Sequence, residues 1–131
     1  MMSSEKSILN MNPLHLAYIG DAVYALLVRE TLVENGGKLK DIHRHCTSLV
    51  CACSQANTLA KIMPILTDDE TDIVRRARNT HARHAVPRSA TAYEYAQSTA
   101  FEALIGYLHL AGRDNRILEL LQPLINQQPE E

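Results

Sequence analysis

Two long apolar segments, each carrying a single acid, constrain this chain more than any other feature. Leu16 to Val28 reads LAYIGDAVYALLV, with Asp21 near its middle. Ala100 to Leu110 reads AFEALIGYLHL, with Glu102 embedded in it. Both are apolar around most of a helical circumference, which predicts two central helices. An ionised carboxylate in such a setting is costly unless it is paired or binds a cation. Residues three and four apart are neighbours on a helix. That rule puts Ala17, Tyr18, Tyr24 and Ala25 around Asp21, and Ser98, Thr99, Ile105 and Gly106 around Glu102. No Lys or Arg lies within one turn of either acid. Gly20 and Gly106 each cost about 1 kcal/mol in a helix interior, which makes sense where another backbone or a substrate comes close. Two readings follow. Either the acids converge on a hard divalent cation such as Mg²⁺ or Mn²⁺, or each pairs with an arginine distant in sequence.

A chain of 131 residues is one domain, 1–131, with an ordered core over about 12–126. No stretch alternates apolar and polar residues as a half-buried strand would, so the expected class is all-α with about six helices. Residues 1–11 read as a loose start. Asn12-Pro13 reads as N-cap and first helical position, opening a helix from Pro13 to about Glu34 that Asn35-Gly36-Gly37 stops. A shorter helix is expected around Leu39 to His45, and Ser48 as the cap of another running to Met63. Thr67 to Glu70 is a capping box opening a helix from Asp68 to about Asn79. His81 to Ala90 reads as a loop, followed by helices from Thr91 to Gly112 and from Asp114 to Asn126, with a frayed tail. Tyr18, Tyr24, Tyr107 and Phe101 are expected to pack in the core.

Hydrophobic content of 46% and charged content of 21% are those of a soluble globular protein. Asp21, Arg29 and Glu102 interrupt every run that approaches membrane-span length. The start MMSSEKSILN lacks the layout of a secretory signal. Three cysteines, an odd number without framework spacing, fit a reducing cytoplasm. A net charge of −2 does not announce a nucleic-acid binder, so any such role must rest on local charge. Local charge exists: Arg75, Arg76, Arg78, Arg83 and Arg88 fall in an acid-free window from Ile73 to Tyr93, together with Asn79, His81 and His84. Arg44, Lys38 and Lys40 form a weaker cluster. Arginine suits bidentate phosphate contact; the plainer alternative is a solvated helix face balanced by the acids between Asp68 and Asp72. A zinc cluster of His43, His45, Cys46, Cys51 and Cys53 is disfavoured, because Cys51 and Cys53 would point about 200° apart on a helix. There is no phosphate-cradling glycine loop and no dinucleotide fingerprint.

Leu16 to Val23 resembles the signature helix of ribonuclease III catalytic domains, and Phe101 to Gly106 resembles their second acidic helix. Arg76-Ala77-Arg78-Asn79, Ser98 to Leu104, and the His43 to Gln55 region around Ser48 and Ser54-Gln55 are similar to segments of Mini-ribonuclease III. That is the short bacterial branch without a double-stranded-RNA-binding domain. The resemblance covers about residues 12 to 125. Full-length members carry four acids; Ala17 and Thr99 stand at two of those places here, as the short branch would have it. The resemblance implies an all-α homodimer with duplex RNA lying in a valley across the two-fold. It implies Asp21 as the essential catalytic acid and a metal ligand, Glu102 as its partner ligand, and Mg²⁺ as cofactor with Mn²⁺ able to substitute. The implied activity is a double-stranded-RNA endoribonuclease leaving 5′-phosphate and 3′-hydroxyl ends, acting in maturation of large-subunit (23S) ribosomal RNA. Arg44, Arg75, Arg76, Arg78, Asn79, Arg83 and Arg88 would then supply the RNA surface. The alternative is a catalytically silent helical dimer that binds structured RNA or a ribosomal protein. Such a relative would be expected to lose Asp21 or Glu102, and this chain keeps both.

Overall fold

A computed structural model describes residues 4–81 and 91–125. Among them the chain is all-helical: α1 (Glu5–Leu9), α2 (Pro13–Glu34), α3 (Leu39–Val50), α4 (Ala52–Ile62), a 3₁₀ turn (Met63–Ile65), α5 (Asp68–His81), α6 (Ala92–Leu110) and α7 (Asp114–Ile125). Local chemistry sets the main boundaries. Asn12 Oδ1 accepts the Leu14 N–H at 2.9 Å, with Pro13 at the first helical position of α2. Gly36 and Gly37, at φ +82° and +116°, turn the chain out of α2. Reciprocal Thr67–Glu70 bonds of 2.9 and 3.2 Å open α5, and a Thr91–Glu94 capping box opens α6.

The core is organised around α6. Every residue from Gln97 to Leu108 except Glu102 is buried, and α6 packs against α2, α4, α5 and α7. Its closest neighbour is α2, and glycine makes that approach possible. A Cβ on Gly20 would collide with the Glu102 carbonyl oxygen, and one on Gly106 with the Leu16 carbonyl oxygen. The two helices therefore cross backbone to backbone, and each glycine is required by the other helix. A second tie joins α5 to α7. Glu70 is fully buried and accepts Arg116 Nε and Nη2 at 3.0 and 2.9 Å. Burial alone would raise the Glu70 carboxyl, but the Arg116 bonds and the Thr67 N–H outweigh it and hold the group below its usual range.

Four expectations need correction. The N-terminal stretch is not a loose start: Glu5–Leu9 is helical, capped by Ser4, and Ile8 is buried. The helix after the glycine turn runs through His45 to Val50, so Ser48 is inside it and its hydroxyl donates to the His45 carbonyl. The next helix opens instead at Ala52, with no side-chain cap. Finally, α2 is apolar all round but only partly covered. Tyr18, Leu26 and Val33 are 82%, 58% and 60% exposed along one side, so Tyr18 is not a core residue, whereas Tyr24, Tyr107 and Phe101 are. Asp21 lies on the open side of α2 as well. Among the described residues no helix is long and apolar enough to cross a membrane.

Candidate active site

The α2–α6 crossing sets the positions of the two acids. Asp21 follows Gly20, and Glu102 is the residue whose carbonyl faces Gly20. Their carboxyl groups hydrogen-bond to each other. Asp21 is exposed and Glu102 half-buried. From α4, Gln55 Nε2 donates to Glu102 Oε2 at 3.4 Å. Burial, then the bond to Asp21 and its charge, push the Glu102 carboxyl up to about 8, while Gln55 opposes the rise. Near neutral pH and without a cation, Glu102 therefore keeps its proton beside Asp21.

This arrangement fits a divalent cation. Among the described residues neither acid forms an ion pair with Lys, Arg or His. A cation would relieve both the burial and the mutual repulsion that hold the proton in place. The donors are hard oxygens, and Mg²⁺ takes one or two carboxylates and fills its other positions with water and substrate oxygens. Among the described residues no group of three or more His, Cys, Asp or Glu is placed to hold a metal ion.

The basic residues divide by what they touch. Arg44 reaches Asp41 at 3.7 Å on an open surface. Arg75 bonds Asp72 at 2.5 Å with more than half its side chain exposed. Arg76 bonds Asp72 at 2.9 Å and also donates to the Leu9 carbonyl, which ties α1 to α5. Its guanidinium is thus committed to the fold. Arg78 reaches the buried Gln97 at 3.4 Å, five residues before Glu102 on α6. Asn79 is exposed beside it. Arg83 and Arg88 lie outside the described residues. Sequence reasoning missed Gln55 as a partner of Glu102. The signal was its register: Gln55, Leu59 and Ile62 share one buried face of α4.

Comparison with known proteins bears on the family and the fold. The family model described as the ribonuclease III domain matches residues 14–113. A Mini-ribonuclease 3 of Symbiobacterium thermophilum is 51% identical over 87% of this chain and 88% of its own length. One from Brevibacillus brevis is 42% identical over 85% and 83%. A crystal structure of a Fusobacterium nucleatum protein superposes with a TM-score of 0.84 at 28% identity, covering 96% of this chain and 100% of that one.

Proposed function

The chain belongs to the ribonuclease III domain family, in its Mini-ribonuclease 3 branch, and is an endoribonuclease of that type; from that premise we propose that Asp21 and Glu102 hold Mg²⁺ and direct hydrolysis of double-stranded RNA. The observation that carries this reading is the hydrogen-bonded acid pair at the α2–α6 crossing, with no cationic side chain beside it among the described residues. When bound, the cation would activate water for attack on phosphorus and stabilise the departing 3′ oxygen, giving 5′-phosphate and 3′-hydroxyl ends. The protein's part is to hold both carboxylates in place. Asp21 presents its group on the open face that a duplex can reach, and Glu102 supports it from below. Arg78, Asn79, Arg75 and Arg44 are proposed to contact phosphates, since duplex RNA is read mainly by shape, 2′-hydroxyls and backbone.

The working form is proposed to be a homodimer. Support comes from the exposed apolar Tyr18, Leu26 and Val33 of α2 and from a cleft lined by Leu26, Leu27, Ile117 and Leu118. An isologous interface would cover this surface and set two sites across one duplex. The proposed substrate is precursor large-subunit (23S) ribosomal RNA, on the basis of the resemblance to the short branch. The cytoplasm is the proposed compartment, and the free thiols of Cys46, Cys51 and Cys53 suit reducing conditions.

The test is incubation with a structured RNA duplex, with Mg²⁺ or with chelator. Cleavage is expected only with the divalent cation. Asp21→Asn is expected to lower it beyond the roughly 100-fold that loss of a supporting residue costs a metal site. Cleavage in chelator, or undiminished cleavage by D21N, contradicts the reading.

A further inference from the structure

Gln55 is the residue on the inner face of α4 that packing does not explain. Leu59 and Ile62, four and seven positions on, join the apolar core. Gln55 occupies the same stripe and is only 2% exposed, yet it is polar. Its Nε2 donates to Glu102 Oε2 at 3.4 Å, and its amide oxygen has no hydrogen-bond partner among the described residues. Burying an amide whose oxygen is left without a partner disfavours the folded state. An apolar side chain of the same size would continue the stripe at no such cost. A polar group retained there needs a role besides stability, and the bond it makes indicates one. The Glu102 carboxylate stands at the end of three rotatable bonds and is engaged from α2 only by Asp21. Gln55 holds it from the opposite helix.

We propose that Gln55 is a positioning residue of the reaction, fixing the Glu102 carboxylate in the orientation that completes the cation site with Asp21. The proposal rests on the reading of Asp21 and Glu102 as the cation's ligands. Ligating carboxylates are held by such outer partners, whose loss costs metal affinity or activity about 10–100-fold.

Gln55→Met keeps the length of the side chain and removes the N–H. Three quantities are compared with the parent: the Mn²⁺ dissociation constant of the RNA-free protein by calorimetry, kcat and KM on an RNA duplex, and the thermal midpoint in chelator. Mn²⁺ affinity and kcat are expected to fall about 10–100-fold, with KM unchanged and the midpoint at least as high as the parent's. Gln55→Asn, whose amide falls one methylene short of Glu102, is expected to show the same losses and replaces Q55M if that variant does not fold. Ile62→Val, on the same face, is expected to lower the midpoint and leave Mn²⁺ affinity alone. Parent-like Mn²⁺ affinity and kcat in Q55M overturn the proposal when D21N has lost both. A D21N protein that keeps both overturns the underlying reading of the acids, and this proposal with it.

Discussion

At Glu102 the needs of the fold and of the proposed site conflict. Its carboxyl, pushed up to about 8 from 4.5 chiefly by burial, is easier to fold around when neutral, whereas the proposed cation site needs it charged. The sign of the pH dependence follows. Below the unfolded value both states bind the proton and the group costs nothing. Between the two values the folded state holds a proton that the unfolded state has released, so stability falls as pH rises, and it levels off above the folded value. In chelator, the parent's thermal midpoint should therefore drop between about pH 5 and about pH 8. Glu102→Gln should remove that component and melt higher than the parent at the alkaline end, while losing cleavage. A parent and E102Q that differ equally at every pH would contradict the assignment. Both acids stood out in the sequence because each stands alone in an apolar segment, and the structure brings the two side chains into contact. Gln55 did not stand out, because ACSQANTLAKI mixes polar and apolar residues. Only its register with Leu59 and Ile62 marks it as buried. Arg76 was misleading for a related reason: its pairing with Asp72 is local, but its bond to the Leu9 carbonyl spans a contact no sequence pattern announces.

Among elements, the α2–α6 crossing determines whether a site exists. Gly20→Ala places a methyl group against the Glu102 carbonyl, and Gly106→Ala places one against the Leu16 carbonyl. The obstructing atoms are backbone and cannot rotate away. Each variant should destabilise by more than the ~1–3 kcal/mol typical of overpacking and should separate the acids as the helices part. Chemical denaturation measures the first effect and Mn²⁺ calorimetry the second. A G20A protein of parental stability would mean that the helices do not cross this closely. The glycines were readable as a sign of close approach, because nothing else justifies them in helix interiors. Helix ends were readable where side chains cap them, as at Asn12, Thr67 and Thr91. They were not readable at the α3–α4 boundary, where Ser48 has the chemistry of a cap but bonds backward to His45, and the chain breaks at Cys51 without one. The five residues of α1 are too few to display a helical period.

For the whole molecule, apolar character alone does not distinguish an enclosed helix from a partly open one. α2 and α6 look alike in sequence, yet α6 is enclosed and α2 keeps Tyr18, Leu26 and Val33 open. Exposed apolar side chains of this kind suit the proposed association face. Leu26→Glu should convert the proposed dimer to a monomer in sedimentation and lower duplex cleavage with it, leaving the helical content unchanged. Parental sedimentation and parental activity in L26E would place the interface elsewhere. The all-α class followed from periodicity. The pairing of α2 with α6 did not follow from periodicity; it was expected from the lone acid in each segment, and the two glycines show how closely the helices meet.

The central claim is that Asp21 and Glu102 share one divalent cation. Anomalous diffraction from a crystal soaked in Mn²⁺ with a short RNA duplex tests it most directly. The account predicts a manganese peak within coordination distance of both carboxylates, with a phosphate oxygen of the duplex completing its shell. Manganese elsewhere, or the two carboxylates still hydrogen-bonded to each other with no metal between them, would contradict it.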